Sequence, residues 1–138
     1  MSRDVYSGTL KLHGDEDRDT LREGNNYAAS LNRLQRFEEA KALLGEMIPV
    51  VRRALGEDDR LTLQMRWNYA MALYRDNGAT LDDLREAVTT LEETARLWTR
   101  VFGTAHPETP KVQGALDFAR EKLADARAAA SNKSKAPP

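Results

Sequence analysis

The sequence predicts an all-α protein, a right-handed α-α superhelix of about two and a half helical repeats closed by a C-terminal capping helix. Three observations carry this expectation. Apolar residues recur at helical spacing along most of the chain, strand-type alternation is absent, and the chain resembles itself at a fixed interval. With 138 residues, 41% of them hydrophobic, it is long enough for one domain with a buried core.

The repeat is legible in three loop segments, HGDEDRDTL around Gly14, LGEDDRLTL around Gly56 and FGTAHPETP around Gly103. Asn26/Asn68, Tyr27/Tyr69, Ala28/Ala70, Leu31/Leu73 and Arg33/Arg75 coincide at an offset of 42 residues. Ala40/Ala87, Leu44/Leu91, Glu46/Glu93, Arg53/Arg100 and Gly56/Gly103 coincide at 47, so the second unit carries a five-residue insertion between Arg75 and Ala87, where DNGATLDD supplies the turn chemistry. The predicted divisions are an N-terminal stub (1–14), repeat 1 (15–56), repeat 2 (57–103), a capping helix (104–130) and a disordered tail (131–138).

Five helices follow, near 17–34, 37–55, 60–76, 81–102 and 107–130. The first carries Leu21, Gly24, Tyr27, Ala28, Leu31 and Leu34 on one stripe, and the second Phe37, Ala40, Leu43, Leu44, Met47, Val51 and Leu55. Leu63, Tyr69, Ala70 and Leu73 form the inward side of the third, with Trp67 beside them rather than among them. Leu84, Val88, Leu91, Ala95, Trp98 and Phe102 mark the fourth, then Val112, Leu116, Ala119 and Leu123 the last. Gly14, Gly56 and Gly103 sit just past helix ends, where a left-handed residue is easiest for glycine. Acidic residues after the first two suit the positive end of the next helix, and Thr80 with Asp83 reads as a capping box. Pro49 inside the second helix predicts a bend, since its ring meets the carbonyl of Gly45.

Composition and motif searches narrow the function. A net charge of −1 argues against a nucleic-acid binder that relies on bulk positive charge. The absence of cysteine removes disulfides, thiolate metal sites and a catalytic thiol. Asp15, Asp17 and Asp19 imitate the opening of a calcium loop, but Thr20 and Asn26 stand where glycine and a carboxylate are required. His13 and His106 lack the paired spacing of a zinc site. No nucleophile elbow, phosphate loop or dinucleotide fingerprint occurs. Neither catalysis nor a cofactor is expected, and with no spanning segment or signal peptide the predicted setting is cytoplasmic.

The succession of a Gly–acidic loop–Thr-Leu, then Asn-Asn-Tyr-Ala or Trp-Asn-Tyr-Ala, then Phe-Glu-Glu-Ala, resembles the tetratricopeptide repeat. The 42-residue spacing and the HPETP loop resemble its longer, kinesin-light-chain type, over roughly residues 12–130. The resemblance implies a protein-interaction module whose first helices line a concave groove for a peptide of a partner protein. It places Asn25, Asn26, Trp67 and Asn68 on that groove. No heptad region accompanies the repeats, so attachment to a motor is not implied.

Helical spacing extends the expected groove. Arg22, Asn25, Asn26, Ala29, Asn32 and Arg33 lie in an arc opposite the first apolar stripe. Carried forward, the arc becomes Gln64, Trp67, Asn68, Met71, Tyr74 and Arg75, then Lys111, Gly114, Ala115, Phe118, Glu121 and Lys122. The set holds five cations and one anion, so an acidic peptide with an apolar residue is the expected ligand, its backbone bonded by the asparagines. Trp67 is read either as a groove anchor or as cover for a neighbouring helix. The alternative function is self-assembly, a homodimer through exposed repeat ends, or service as part of a larger scaffold.

Overall fold

The computed structural model describes residues 17–135, as five α-helices and, among the described residues, no strand. They are α1 (Arg18–Arg33), α2 (Phe37–Leu55), α3 (Arg60–Arg75), α4 (Leu81–Phe102) and α5 (Thr109–Lys135). The protein is thus an all-α helical repeat. The expected stub at 1–14 lies outside the described residues.

Each helix packs against the next, and the odd-numbered helices also touch one another, α1 on α3 and α3 on α5. The even-numbered helices α2 and α4 form a second layer and do not meet. Between the layers lies a core of two characters. Around repeat 1 it is aliphatic: Leu21, Leu44, Met47, Val51, Leu61 and Met65. Around repeat 2 and α5 it gathers Leu63, Leu73, Leu91, Trp98, Val112, Leu116 and Leu123. The inward stripes of α2, α4 and α5 fall where their spacing predicts. The stripe of α1 stops a residue early: Leu34 is 66% exposed, because the chain turns there and Gln35 follows at φ 61°.

The junctions between repeats are near copies. Gly56 at φ 93° and Gly103 at φ 82° end α2 and α4, and their N–H groups donate to Arg52 O and Thr99 O. Their ψ of 166° takes both out of the expected left-handed helical basin into an extended, positive-φ region open essentially to glycine alone. Six residues on, the Thr62 hydroxyl donates to Gly56 O and the Thr109 hydroxyl to Gly103 O, both at 2.7 Å. Between glycine and threonine sits a cap. Asp17 Oδ1 accepts the Asp19 N–H, Asp59 Oδ1 accepts that of Leu61, and His106 Nδ1 accepts that of Glu108. The last bond assigns the imidazole proton to Nε2. Rings of Trp98 and Phe102 hold His106 from the α4 side, 5.6 and 5.1 Å away between centroids.

Within the repeats the turns differ. Repeat 1 uses Leu34–Arg36, and Arg36 makes no side-chain cap bond. Repeat 2 uses Asp76–Thr80 and the predicted capping box, with both Thr80–Asp83 bonds present. Three of the five inserted residues, 81–83, lengthen α4 by most of a turn and two lengthen the loop. Pro49 does not divide α2, which remains one helix from Phe37 to Leu55. Its ring is on the exposed side, where water can satisfy the Gly45 carbonyl. At the far end α5 continues to Lys135, past the predicted limit at 130, so 131–135 are helical rather than tail. The run DARAAASNK offers good helix formers and no breaker before Ala136-Pro137.

Candidate functional site

The face shared by α1, α3 and α5 is centred on α3, whose residues Gln64, Trp67, Asn68, Met71 and Arg75 follow one another at helical intervals. Two open hollows lie along it and meet at Met71. One, of about 540 Å³, is lined by Met71, Tyr74, Arg75, Asn77, Phe118 and Lys122. The other, of about 310 Å³, is lined by Asn25, Asn26, Gln64, Trp67, Asn68, Met71 and Glu108.

The first hollow is aromatic and cationic. Tyr74 and Phe118 lie 5.6 Å apart between ring centroids, and Phe118 is 51% exposed. Lys122 Nζ sits 5.9 Å from the centre of the Phe118 ring and donates to the Tyr74 carbonyl, capping the negative end of α3. Arg75 stacks over Phe37 at 5.9 Å. Burial raises the Tyr74 phenol above its ordinary pKa, against the pull of Arg75, so it stays neutral and able to donate. Among the described residues neither Arg75 nor Lys122 has a carboxylate partner.

Amides line the second hollow. Asn68 Nδ2 donates to Asn25 Oδ1 at 2.8 Å, and Asn32 Nδ2 donates to Asn68 O at 3.0 Å, tying α1 to α3. Trp67 packs edge-on against Trp98, centroids 6.0 Å apart, while lining the hollow. Both sequence readings of Trp67 therefore describe part of its position. Its Nε1 is buried without a hydrogen-bond partner.

Several expected groove residues are buried, paired or outside the hollows. Asn32 is 1% exposed and its Nδ2 is taken by Asn68 O, which corrects its reading as a donor to a peptide backbone. Asn25, 6% exposed, lines the second hollow and among the described residues is bonded only as an acceptor, through Oδ1. A single outward arc suits a helix with one buried side, whereas α1 packs on α2 and also on α3. Tyr74, in the position equivalent to Asn32, is buried for the same reason, its flank covered by α5. Arg22 is exposed, paired with Asp19 at 2.6 Å, and Arg33 is bonded to the Ser30 hydroxyl. Arg22, Arg33 and Lys111 line neither hollow. Asn25, Asn26, Gln64, Trp67, Asn68, Met71, Tyr74, Arg75, Phe118 and Lys122 line the two hollows. Sequence reasoning missed Asn77 and Glu108. Glu108 lies three residues before Lys111, so extending the same helical face back one turn would have found it.

Among the described residues no group of histidine, cysteine and carboxylate side chains could hold a metal ion, and no helix is long and apolar enough to cross a membrane. A family model described as tetratricopeptide repeat matches residues 25–60 and 79–108. The first match takes in most of α1 and all of α2, and the second all of α4 with the loop after it. No curated protein and no solved structure matches the chain significantly.

Proposed function

We propose, taking the chain as a tetratricopeptide repeat protein, that it binds a peptide segment of a partner protein in the groove of α1, α3 and α5. Tetratricopeptide repeats are a non-enzymatic repeat family that generally mediates protein–protein interaction. One observation supports the finer reading: both hollows lie on the odd-helix layer and share Met71 in their linings, so we read them as one channel. Because α2 and α4 are apart while their inner neighbours touch, that layer is the one a curved stack makes concave. Exposed Phe118 and half-buried Trp67 and Met71 supply apolar contact, and Arg75 and Lys122 favour a carboxylate. The 42-residue interval supports the kinesin-light-chain-like form of the repeat.

Self-assembly through the α5 end of the stack is less favoured. The outward side of α5 exposes Gln113, Asp117, Arg120, Glu121 and Asp125, a polar surface suited to closing an array.

Peptides selected from a random displayed library, with binding measured by fluorescence anisotropy, test the groove. Trp67→Ala and Arg75→Glu should each weaken a selected peptide about tenfold or more, the scale of a groove anchor. Arg33→Glu, on the same face but outside the hollows, should change it less than about twofold. Equal affinity for all four proteins would place the binding surface elsewhere.

A further inference from the structure

The charges left over in the channel have opposite signs at its two ends. Most exposed charges of this protein find a partner: Arg18 with Asp59, Arg100 with Asp58, Arg120 with Glu92, Arg85 with Asp82. Arg75 and Lys122 at one end of the channel have no carboxylate partner among the described residues, and Glu108 at the other end has no cationic one. Resting on the groove reading above, we infer that the ligand is a two-charge segment in extended conformation, acidic–x–apolar–x–basic in either chain direction. Its carboxylate meets Arg75 and Lys122, its apolar side chain lies over Met71, and its basic group meets Glu108.

Length supports this spacing. Glu108, just ahead of α5, and Lys122 within it are fourteen residues apart, about 21 Å at the helical rise. The long arms of Lys122 and of the ligand's basic residue shorten that span. Trp67, in the hollow of Glu108, and Arg75 are eight residues apart on α3, about 12 Å. Four steps of extended chain cover about 13 Å, and residues two apart point to the same side. Positions one, three and five of a pentapeptide therefore face the channel together. The expectation of an acidic ligand, formed from a net count of cations, changes with geometry. Arg22 is neutralised by Asp19, Arg33 and Lys111 lie outside the hollows, and Glu108 enters the set.

The test uses the full chain and acetylated, amidated nonapeptides centred on Asp-Ser-Leu-Ser-Lys or on Lys-Ser-Leu-Ser-Asp. Each is compared with versions carrying asparagine for aspartate or norleucine for lysine, at low salt. The tighter of the two orders should lose about threefold with either neutral replacement, as partly exposed ion pairs do. In Glu108→Gln the loss on replacing lysine should vanish while the loss on replacing aspartate persists. Glu108→Gln keeps the backbone N–H bonded to His106, so an unaltered melting temperature is expected. Binding that Trp67→Ala weakens but that shows the same lysine dependence in Glu108→Gln overturns the two-charge inference alone. Absence of binding by every peptide, together with library selection yielding none, overturns the inference and the groove with it.

Discussion

The two seams of the inner layer are built from the same repeat positions with different chemistry. Between α1 and α3 the contact is an amide ladder: Asn25, Asn68 and Asn32 linked in series. Between α3 and α5 the positions equivalent to Asn25 and Asn32 are Trp67 and Tyr74, and the seam is aromatic, with Phe118 opposite Tyr74. Directional hydrogen bonds fix one register, because a slipped amide leaves a buried donor or acceptor unsatisfied. Ring contacts tolerate adjustment and leave apolar surface facing the channel. The first seam sets the position of the helices, and the second holds the apolar surface that the proposed function gives to the ligand.

Breaking the aromatic side should cost most. Trp98 is fully buried between Trp67, Phe102 and His106, and Trp98→Ala should lower unfolding free energy by about 4 kcal/mol, read by urea denaturation. Its repeat 1 counterpart is Val51, also fully buried, where Val51→Ala should cost about 2 kcal/mol. Because Trp98 Nε1 has no hydrogen-bond partner, Trp98→Phe should be much milder than Trp98→Ala; equal losses would mean the ring's volume is not what matters.

The amide seam should rank next. Asn68→Ala strands Asn25 Oδ1 in a site 6% exposed and should cost about 2 kcal/mol. Adding Asn25→Ala should recover part of that loss, and strictly additive losses would show that the bond contributes nothing. Smaller still are the junction threonines. Thr62→Val and Thr109→Val each remove one hydroxyl bond to a glycine carbonyl, about 1 kcal/mol apiece, and the two values should agree within about half of that. A clear disagreement would show that matching geometry conceals unequal junctions.

The smallest effect sharpens the contrast between repeats. Tyr69 donates to Glu86, whereas Glu39, the repeat 1 counterpart of Glu86, is taken by Arg36. Burial, with Glu86 beside it, pushes the Tyr69 phenol from 10 up to about 12. A phenol raised in the folded state contributes its full stabilisation below the unfolded value and loses it as pH rises through the folded one. Stability should therefore decline between pH 10 and about 12, and less so in Tyr69→Phe, as thermal melts across that interval would register.

The helices were legible because each presents an apolar stripe, glycines mark the ends of α2 and α4, and the repeat doubles these signals. The channel was legible in part. A helical wheel separates inside from outside for a helix with one neighbour, but an inner helix of a stack has flanks covered by the next inner helix. Asn32 and Tyr74 are buried where such a neighbour follows, and Glu121, in the equivalent position of α5 with none, is exposed. Charge totals misled for a related reason: they ignore ion pairs with residues off the face, such as Arg22 with Asp19. Glu108 lies one turn before Lys111, the first residue of the expected arc on α5.

The glycine–threonine latch makes the chain divisible. Both latches span six residues and close with the same bond, whereas the five-residue insertion falls at the opposite end of the repeat, in the turn and first residues of α4. Variation in length is thereby kept away from the joints. A gene segment copied from one latch glycine to the next, residues 57–103, would bring a complete donor and acceptor at each boundary. Tandem duplication there adds a repeat without a new kind of joint, and growth or loss of whole units is the change this architecture most readily survives.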